Sequence, residues 1–280
     1  MRLFLLTALT MCAFAANSIL NRWAIDSDAS DPAGFAVVRV LSGALVLAAL
    51  VVLRGGVLPL YTPRRFVGAG SLSVYMVGFS LAYLTLDAGL GALILFGVVQ
   101  ITMFAFGALT GATPTGRQLS GAGIALFGLC VVLWPSAIGS VDTVGAVMMT
   151  CAGVGWAIYS LSGRSEPDAL QGTAANFLVA LPVTALALVF MGGGWQMNAM
   201  GYVLAAVSGG VTSGLGYALW YRVLPQLAPS VAAVVQLSVP VIAILAGVAV
   251  LDETASTRLI LGAGLVLGGI ALAVLRRKRG

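Results

Sequence analysis

The sequence predicts an all-α membrane protein of ten transmembrane helices, arranged as two inverted five-helix repeats. Of the 280 residues, 60% are hydrophobic and only 8% are charged, whereas a water-soluble domain carries about 25% charged residues. The apolar runs are also continuous, while the strands of a membrane β-barrel alternate apolar and polar residues. Because lipid cannot hydrogen-bond the backbone, continuous apolar runs must form helices.

Ten apolar segments follow one another, and each ends at a charged, proline-rich or glycine-rich break. About 20 such residues cross the hydrocarbon of a bilayer, and the loops are too short to fold as soluble domains. The first segment also fits a secretory signal ending at Ala13-Phe14-Ala15, but nine further spans favour a retained helix. The predicted spans are 3–21, 33–53, 66–86, 89–110, 117–134, 143–162, 170–191, 199–221, 227–250 and 258–275.

Basic residues are distributed unevenly between the loops. If the N-terminus is inside, eleven of them fall on the cytoplasmic side and only Arg22 and Arg258 fall outside. The positive-inside rule therefore predicts a multi-pass protein of the bacterial inner membrane with both termini in the cytoplasm. The net charge of +5 reflects this orientation, and outside the tail at 276–279 the charges form no patch that would suit nucleic acid.

An internal repeat relates the two halves of the chain. Gly121-Ala122-Gly123 recurs 141 residues later as Gly262-Ala263-Gly264, and the Leu81/Tyr83/Leu86 pattern recurs 138 residues later. The repeats are predicted at 1–137 and 138–280. Because five spans per half is an odd number, the second half must be inverted. Inverted repeats are characteristic of secondary transporters, whose substrate site lies between the halves near the midplane.

Missing residue types exclude several chemistries. The chain has no histidine and one lysine, Lys278 in the tail, so it lacks a histidine metal site, a Ser-His dyad and a nucleotide-binding Walker loop. No pair of carboxylates lies within a span, and the three cysteines, predicted to be small buried residues, have no ligand spacing. We therefore expect no cofactor, no metal and no enzymatic activity. A membrane-embedded enzyme and a channel remain the competing classes.

Polar and aromatic residues within the spans are candidates to line a cavity. Buried amides and hydroxyls need partners in lipid, and Tyr75 and Phe79 share one face of the third span. Each residue alone could serve helix packing, but residues from several helices together favour a cavity. The predicted substrate-binding residues are Asn17, Tyr75, Phe79, Gln100, Trp156, Tyr159, Tyr217, Gln236 and Ser238.

Three further features concern motion and charge. Gly210 and Gly214 are predicted to let the eighth span flex, and Pro240 to kink the ninth. Arg39 is the one charge well inside a span, and we expect it to extend toward Asp26, Asp28 or Asp31 at the outer surface rather than to contact substrate. Aromatic residues near span ends are assigned to the interfacial belts. These are Trp23, Tyr61, Trp134, Trp195, Trp220 and Tyr221.

On these residues the chain resembles the EamA-type members of the drug/metabolite transporter superfamily. Trp156-Ala157 with Tyr159 is similar to the family's sixth helix, and Pro240-Val241 followed by Glu253 is similar to its proline-to-glutamate run. Arg39 resembles the arginine of its second helix. The sequence departs from the family at Thr102, where the first repeat would carry proline, at Asp252, where glycine is usual, and before Pro114, where no acid stands.

This resemblance implies export of metabolites through a central cavity that opens alternately to each side. As a whole, the chain looks most like the YddG-type exporters of aromatic amino acids. The alternative is a multidrug or cationic-drug exporter that works by proton antiport. The expected partners are a small-molecule substrate and the lipid bilayer; the sequence leaves the oligomeric state open and is compatible with a monomer.

Overall fold

The structure, a computed structural model, describes residues 2–110, 115–134, 141–163, 166–190, 195–223, 226–227 and 235–274. These residues form helices and short connections, with no strand among them. The helices are α1 (Arg2–Asp26), α2 (Pro32–Leu53), α3 (Pro63–Ala82), α4 (Ala88–Leu109), α5 (Gly116–Leu133), α6 (Thr143–Gly163), α7 (Ala169–Phe190), α8 (Ala199–Ala206), the π-helix π1 (Val207–Leu215), α9 (Gly216–Val223), α10 (Ser238–Val250) and α11 (Thr257–Val274).

Within this described part of the chain, eight helical segments are long and apolar enough to cross a membrane. The eighth consists of α8, π1 and α9 in continuous succession. Two shorter apolar helices, α10 and α11, occupy the positions of the ninth and tenth predicted spans. The all-helical membrane fold is thus confirmed for the described residues, while the full count of ten spans stays a prediction.

Several helices begin where the side chains favour it. Asp31 precedes α2, and its carboxylate accepts a hydrogen bond from the Gly34 amide at 2.8 Å, with Pro32 at the first helical position. Such N-caps satisfy amides that have no partner within the helix. Thr115 and Gln118 form a capping box at the start of α5. These caps place the breaks close to where the sequence predicts them.

Helices from the two predicted halves interleave. α3 packs against α6 and α7, α2 against α7 and the eighth span, and α4 against α6 and α10. α1 lies against the eighth span and α10, so it belongs to the centre of the bundle. The main hydrophobic core draws residues from α1, α2, α3, α4, α6, α7, α9 and α10. The three cysteines are exposed on the outer surface, contrary to our prediction, because a residue in an apolar span can face lipid instead of protein.

A close approach between α2 and π1 fixes the eighth span at its middle. A Cβ atom on Gly209 would lie 2.0 Å from the carbonyl oxygen of Arg39, and one on Gly43 would lie 3.0 Å from the Gly209 carbonyl oxygen. Only glycine permits this contact. Gly210 and Gly214, the predicted flexing residues, both fall within π1, and π-helical segments within α-helices frequently mark functional sites.

Pro240 lies close to an irregular turn in the ninth predicted span. The residues at 235–236 are helical, Leu237 is a turn, and α10 begins at Ser238. A proline ring clashes with the carbonyl four residues earlier, here that of Gln236. Pro240 therefore lies in the first turn of α10, directly after the irregular turn at Leu237, and its role as a kink or hinge of the ninth span stays a prediction. The residues at 228–234 lie outside the described part of the chain.

The repeated glycines meet each other between α5 and α11. A Cβ on Gly121 would lie 2.5 Å from the Gly269 carbonyl oxygen, and one on Gly128 would lie 3.0 Å from the Gly262 carbonyl oxygen. The repeat relates Gly121 to Gly262 and Gly128 to Gly269. The contacts are therefore crossed, because Gly121 meets the equivalent of Gly128, and Gly128 meets the equivalent of Gly121. Close backbone contact at small residues is a principal source of helix association in lipid.

Substitution within the glycine motif should separate packing from helix propensity. We expect Gly121→Ala to lower the free energy of unfolding by about 1–3 kcal/mol, as overpacking does, because the added methyl group meets backbone atoms of α11. The matched control is Gly123→Ala, two residues away, where a Cβ would meet nothing within 4 Å. Thermal unfolding in detergent measures both. Equal stability of the two variants would contradict the contact.

Candidate substrate-binding site

A small cavity lies at the centre of the bundle, between α1, α3, α4, α6 and α9. The centre of a water molecule can occupy about 10 Å³ of it, which is room for about one water. The space is therefore too small for a metabolite, and the residues around it are buried. Its lining residues are Phe14, Asn17, Ser18, Tyr75, Phe79, Leu95, Phe96, Trp156 and Tyr217.

Aromatic rings form most of the wall. The Trp156 ring centroid lies 5.0 Å from that of Tyr75 and 4.9 Å from that of Tyr217, and Phe14 packs edge-on against both Trp156 and Tyr217. These separations are within the range in which aromatic pairs attract each other. The cluster contains rings from both predicted halves, so any movement between the halves must rearrange it.

Arg39 lies beside this cluster and is completely buried. Its Nε donates a hydrogen bond to Ser213 Oγ at 3.1 Å, and its Nη2 donates one to the Tyr75 hydroxyl at 3.0 Å. The guanidinium carbon also lies 4.9 Å from the ring centroid of Phe79, a cation–π distance. Within the described part of the chain, Arg39 Nη1 has no hydrogen-bond partner.

The expectation that Arg39 extends to the outer acids is therefore wrong. Asp26 is paired with Arg22 at 2.9 Å, and Asp31 caps α2 and also accepts from the Gln196 amide. These carboxylates are already occupied. A serine and a tyrosine from neighbouring helices hold the arginine in the interior, and the spacing of residues along one helix could not show these partners.

Asn17 connects α1 to the π-helical segment. The hydroxyl oxygens of Ser208, Thr212 and Ser213 lie 2.9, 2.5 and 3.2 Å from its Oδ1. Since Ser213 also accepts from Arg39 and Tyr75 lies 3.4 Å from the Tyr217 hydroxyl, one polar network joins α1, α2, α3, π1 and α9. The π-helical winding presents these hydroxyls together toward α1.

The structure brings together five of the nine predicted site residues at the cavity: Asn17, Tyr75, Phe79, Trp156 and Tyr217. A sixth, Tyr159, is buried beside Trp156, with ring centroids 5.6 Å apart. The remaining three, Gln100, Gln236 and Ser238, do not line it. Ser238 donates its hydroxyl to the Val235 carbonyl at 2.6 Å, so a local bond satisfies it. Whether any of the nine binds substrate stays a prediction.

Sequence reasoning missed several residues of this site. Phe14 and Trp220 contact each other edge-on, with centroids 5.9 Å apart, and Trp220 is buried instead of lying in an interfacial belt. Phe14, Trp156 and Tyr217 lie on three helices, so no periodicity within one helix relates them. The one available signal for Trp220 was its helical spacing from Tyr217.

Polar links close the bundle at the end that carries the start of α3 and of α7. Arg65, also buried, donates from Nη2 to Glu166 at 2.6 Å and from Nη1 to the Asn176 side chain at 3.1 Å. A further bond joins Arg65 to the Pro59 carbonyl at 3.0 Å. This arginine therefore has a carboxylate partner, and the link ties α3 to α7 and the segment before it.

A second set of links closes the opposite end. Arg22 on α1 donates to the Tyr83 carbonyl at 3.0 Å and lies 4.0 Å from the Asp87 carboxylate. Glu253 accepts from the Ala88 and Gly89 amides at 2.6 and 3.4 Å, so it caps α4 from the segment before α11. Burial raises the pKa of the Glu253 carboxyl above its ordinary value, although these bonds oppose the shift.

Comparison with known proteins places this arrangement among membrane transporters. Residues 143–275 match the EamA-like transporter family. The uncharacterized protein PA1977 of Pseudomonas aeruginosa is 45% identical over 99% of this chain and 96% of its own length. An uncharacterized transporter of Archaeoglobus fulgidus is 26% identical over 77% of this chain and 78% of its own length.

A solved protein shares the fold. One crystal structure superposes with a TM-score of 0.66 at 19% identity, covering 95% of this chain and 97% of the other. At that identity the similarity concerns the fold alone. It extends over nearly the whole length of both chains, so the two predicted halves are represented together in one known architecture.

Proposed function

This chain belongs to the EamA-like transporter family of membrane proteins that carry small solutes, and we propose that it exports small metabolites, chiefly amino acids and above all aromatic ones. The proposed mechanism is alternating access through the central cavity, in a bacterial inner membrane. The observation that carries the proposal is a buried, mostly aromatic cavity wall that combines residues of both predicted halves.

The contact between α5 and α11 supports the inverted-repeat organisation. Gly121 meets Gly269 while Gly128 meets Gly262, so the two helices run antiparallel and exchange equivalent contacts. A two-fold relation produces this reciprocal pattern. An axis of that kind in the membrane plane inverts one half relative to the other, as in many secondary transporters. The proposed repeats are 1–137 and 138–280.

Alternating access requires that each end of the cavity open while the other stays closed. The Arg65–Glu166 pair holds one end, and two separate hydrogen bonds, from Arg22 to the Tyr83 carbonyl and from the Ala88 amide to Glu253, hold the other. Opening either end breaks a few polar links but leaves the glycine contacts of α5 and α11 in place. We propose that π1, with its glycines and hydroxyls, accommodates the accompanying bend in the eighth span.

The competing classes differ in what purified protein does in liposomes. A carrier gives saturable flux, an enzyme gives chemical turnover, and a channel gives conductance that does not saturate. The cavity wall has no acid, histidine or lysine, so it offers no conventional acid–base pair for an enzyme. A flux assay on a panel of amino acids and cationic drugs is the test that separates these classes and identifies the cargo.

Proton antiport is the second candidate for the driving force of transport. Its specific support is Glu253, whose raised pKa makes it easier to protonate than an ordinary glutamate. Asp87 lies beside the same helix start. Both residues lie at the end of the bundle, outside the cavity wall. We therefore favour a facilitator, in which cargo runs down its own gradient and no pH gradient is obligatory.

The first prediction concerns orientation. Because eleven basic residues fall on one side of the predicted topology, a reporter fused after Gly280 should be active only in its cytoplasmic form. The fusion is assayed with paired reporters that are active on opposite sides of the membrane. Activity of the periplasmic reporter would contradict the span number or the orientation.

The second prediction concerns the aromatic wall. Trp156→Ala should lower the kcat/KM for transport of an aromatic amino acid by about tenfold or more. Removing an aromatic side chain that stacks on a planar ligand ring, such as a nucleobase, costs about 1–3 kcal/mol. Trp195→Ala is the matched control, because Trp195 is 47% exposed and lies away from the cavity. Equal, small effects in well-inserted protein would mean that the cavity is not the binding site.

The third prediction concerns energetics. Counterflow of labelled cargo in liposomes should proceed at equal pH on both sides, and Asp87→Asn and Glu253→Gln should leave it within about twofold, since neither acid lines the cavity. The Gln side chain keeps an acceptor for the Ala88 amide. If exchange requires an imposed pH gradient and either substitution abolishes it, proton antiport replaces the facilitator.

A further inference from the structure

Two arginines in the described part of the chain are fully or almost fully buried, and they differ in their partners. Arg65 has Glu166 at 2.6 Å. No Asp or Glu side chain lies within ion-pair distance of Arg39, and all nine of these residues lie in the described part of the chain. The guanidinium beside the cavity is therefore a cation without an acidic side chain as its counter-ion.

A buried charge of this kind is costly unless something compensates it. The π-faces of Tyr75 and Phe79, at 5.4 and 4.9 Å, supply part of the compensation, and two hydroxyls accept from Nε and Nη2. Nη1 remains without a partner although it is buried. Donors left unsatisfied in the interior favour a ligand that brings an acceptor, most strongly an anionic one.

The position of Arg39 relates it directly to the cavity. Tyr75 and Phe79, over whose rings the guanidinium lies, are both wall residues, and Tyr75 accepts the bond from Nη2. Ser213, the other partner, belongs to π1. A rearrangement of the eighth span that enlarges the cavity would thus also release one of the bonds that hold the guanidinium.

Building on the proposed function, we propose that Arg39 anchors the carboxylate of the cargo, and that the aromatic wall receives its apolar body. The recognised class is an apolar, preferably aromatic, carboxylate. The cavity wall carries no acid that would pair with an ammonium group, so the amino group of an amino acid adds nothing essential to binding. Organic cations are excluded because an unpaired guanidinium repels them.

A matched ligand series tests this on the unaltered protein. The purified full chain in detergent is titrated by calorimetry at pH 7 with phenylalanine, 3-phenylpropanoate, 3-phenylpropanamide and phenethylamine. We expect both carboxylates to bind, the neutral amide to bind at least about tenfold more weakly, as for loss of a charge-assisted bond, and the amine not to bind. An amide or amine that binds as tightly as 3-phenylpropanoate overturns the proposal.

Variants assign the effect to Arg39. Arg39→Lys keeps the charge but loses the forked geometry, so it should lower the affinity for 3-phenylpropanoate by about tenfold. Arg39→Met should lower that affinity to the value for the amide. Arg54→Gln is the control, because it removes the same charge from an exposed position at the end of α2. If Arg39→Lys and Arg39→Met fold and retain the native preference for carboxylate over amide, the proposal is wrong.

Failure of the proposed aromatic cargo is distinguishable from failure of the anchor. The same titrations are repeated with leucine, 4-methylpentanoate, 4-methylpentanamide and 3-methylbutylamine. Binding of the aliphatic carboxylates alone would replace the aromatic cargo and leave the carboxylate anchor standing. Absence of carboxylate binding in both series overturns the anchor, whatever flux the liposome assay records.

Discussion

The contact between Gly209 and the backbone of Arg39 determines much of the central architecture. Helices in lipid gain no hydrophobic energy by associating, so they depend on close backbone approach and polar bonds. A Cβ atom on residue 209 would lie 2.0 Å from the Arg39 carbonyl oxygen and 2.0 Å from Ser42 Oγ. Because glycine has no Cβ atom, π1 can lie directly on α2, and this brings Ser213 within reach of the Arg39 side chain.

From that contact a polar network extends across the bundle. Ser213 lies near Asn17 on α1, Arg39 reaches Tyr75 on α3, and Tyr75 approaches Tyr217 on α9. Each of these groups would be costly to bury alone, and together they satisfy most of one another's bonds. The network therefore fixes helices of both halves relative to one another, and a shift of π1 would be felt at the cavity wall.

Charge is arranged by depth in the bundle. Arg22 with Asp87 and Arg65 with Glu166 link different segments at opposite ends of the bundle, and Arg39 lies between these ends beside the rings of Tyr75 and Phe79. A protein that needed Arg39 only for packing could have used an apolar residue at lower cost. The retained charge is most simply understood as part of how the cavity recognises a ligand.

The sequence alone determined the class of fold and the approximate limits of the helices, because composition and breaks directly reflect the lipid environment and local backbone preferences. It also predicted that Asn17, Tyr75, Phe79, Trp156 and Tyr217 line a cavity, as they do, since polar and aromatic groups in apolar spans favour the interior; their contact with substrate stays a prediction. It misplaced Arg39 and Trp220 and did not identify Phe14. Their positions depend on which faces of separate helices meet, and the glycine contacts and the π-helical turn decide that only in the folded bundle.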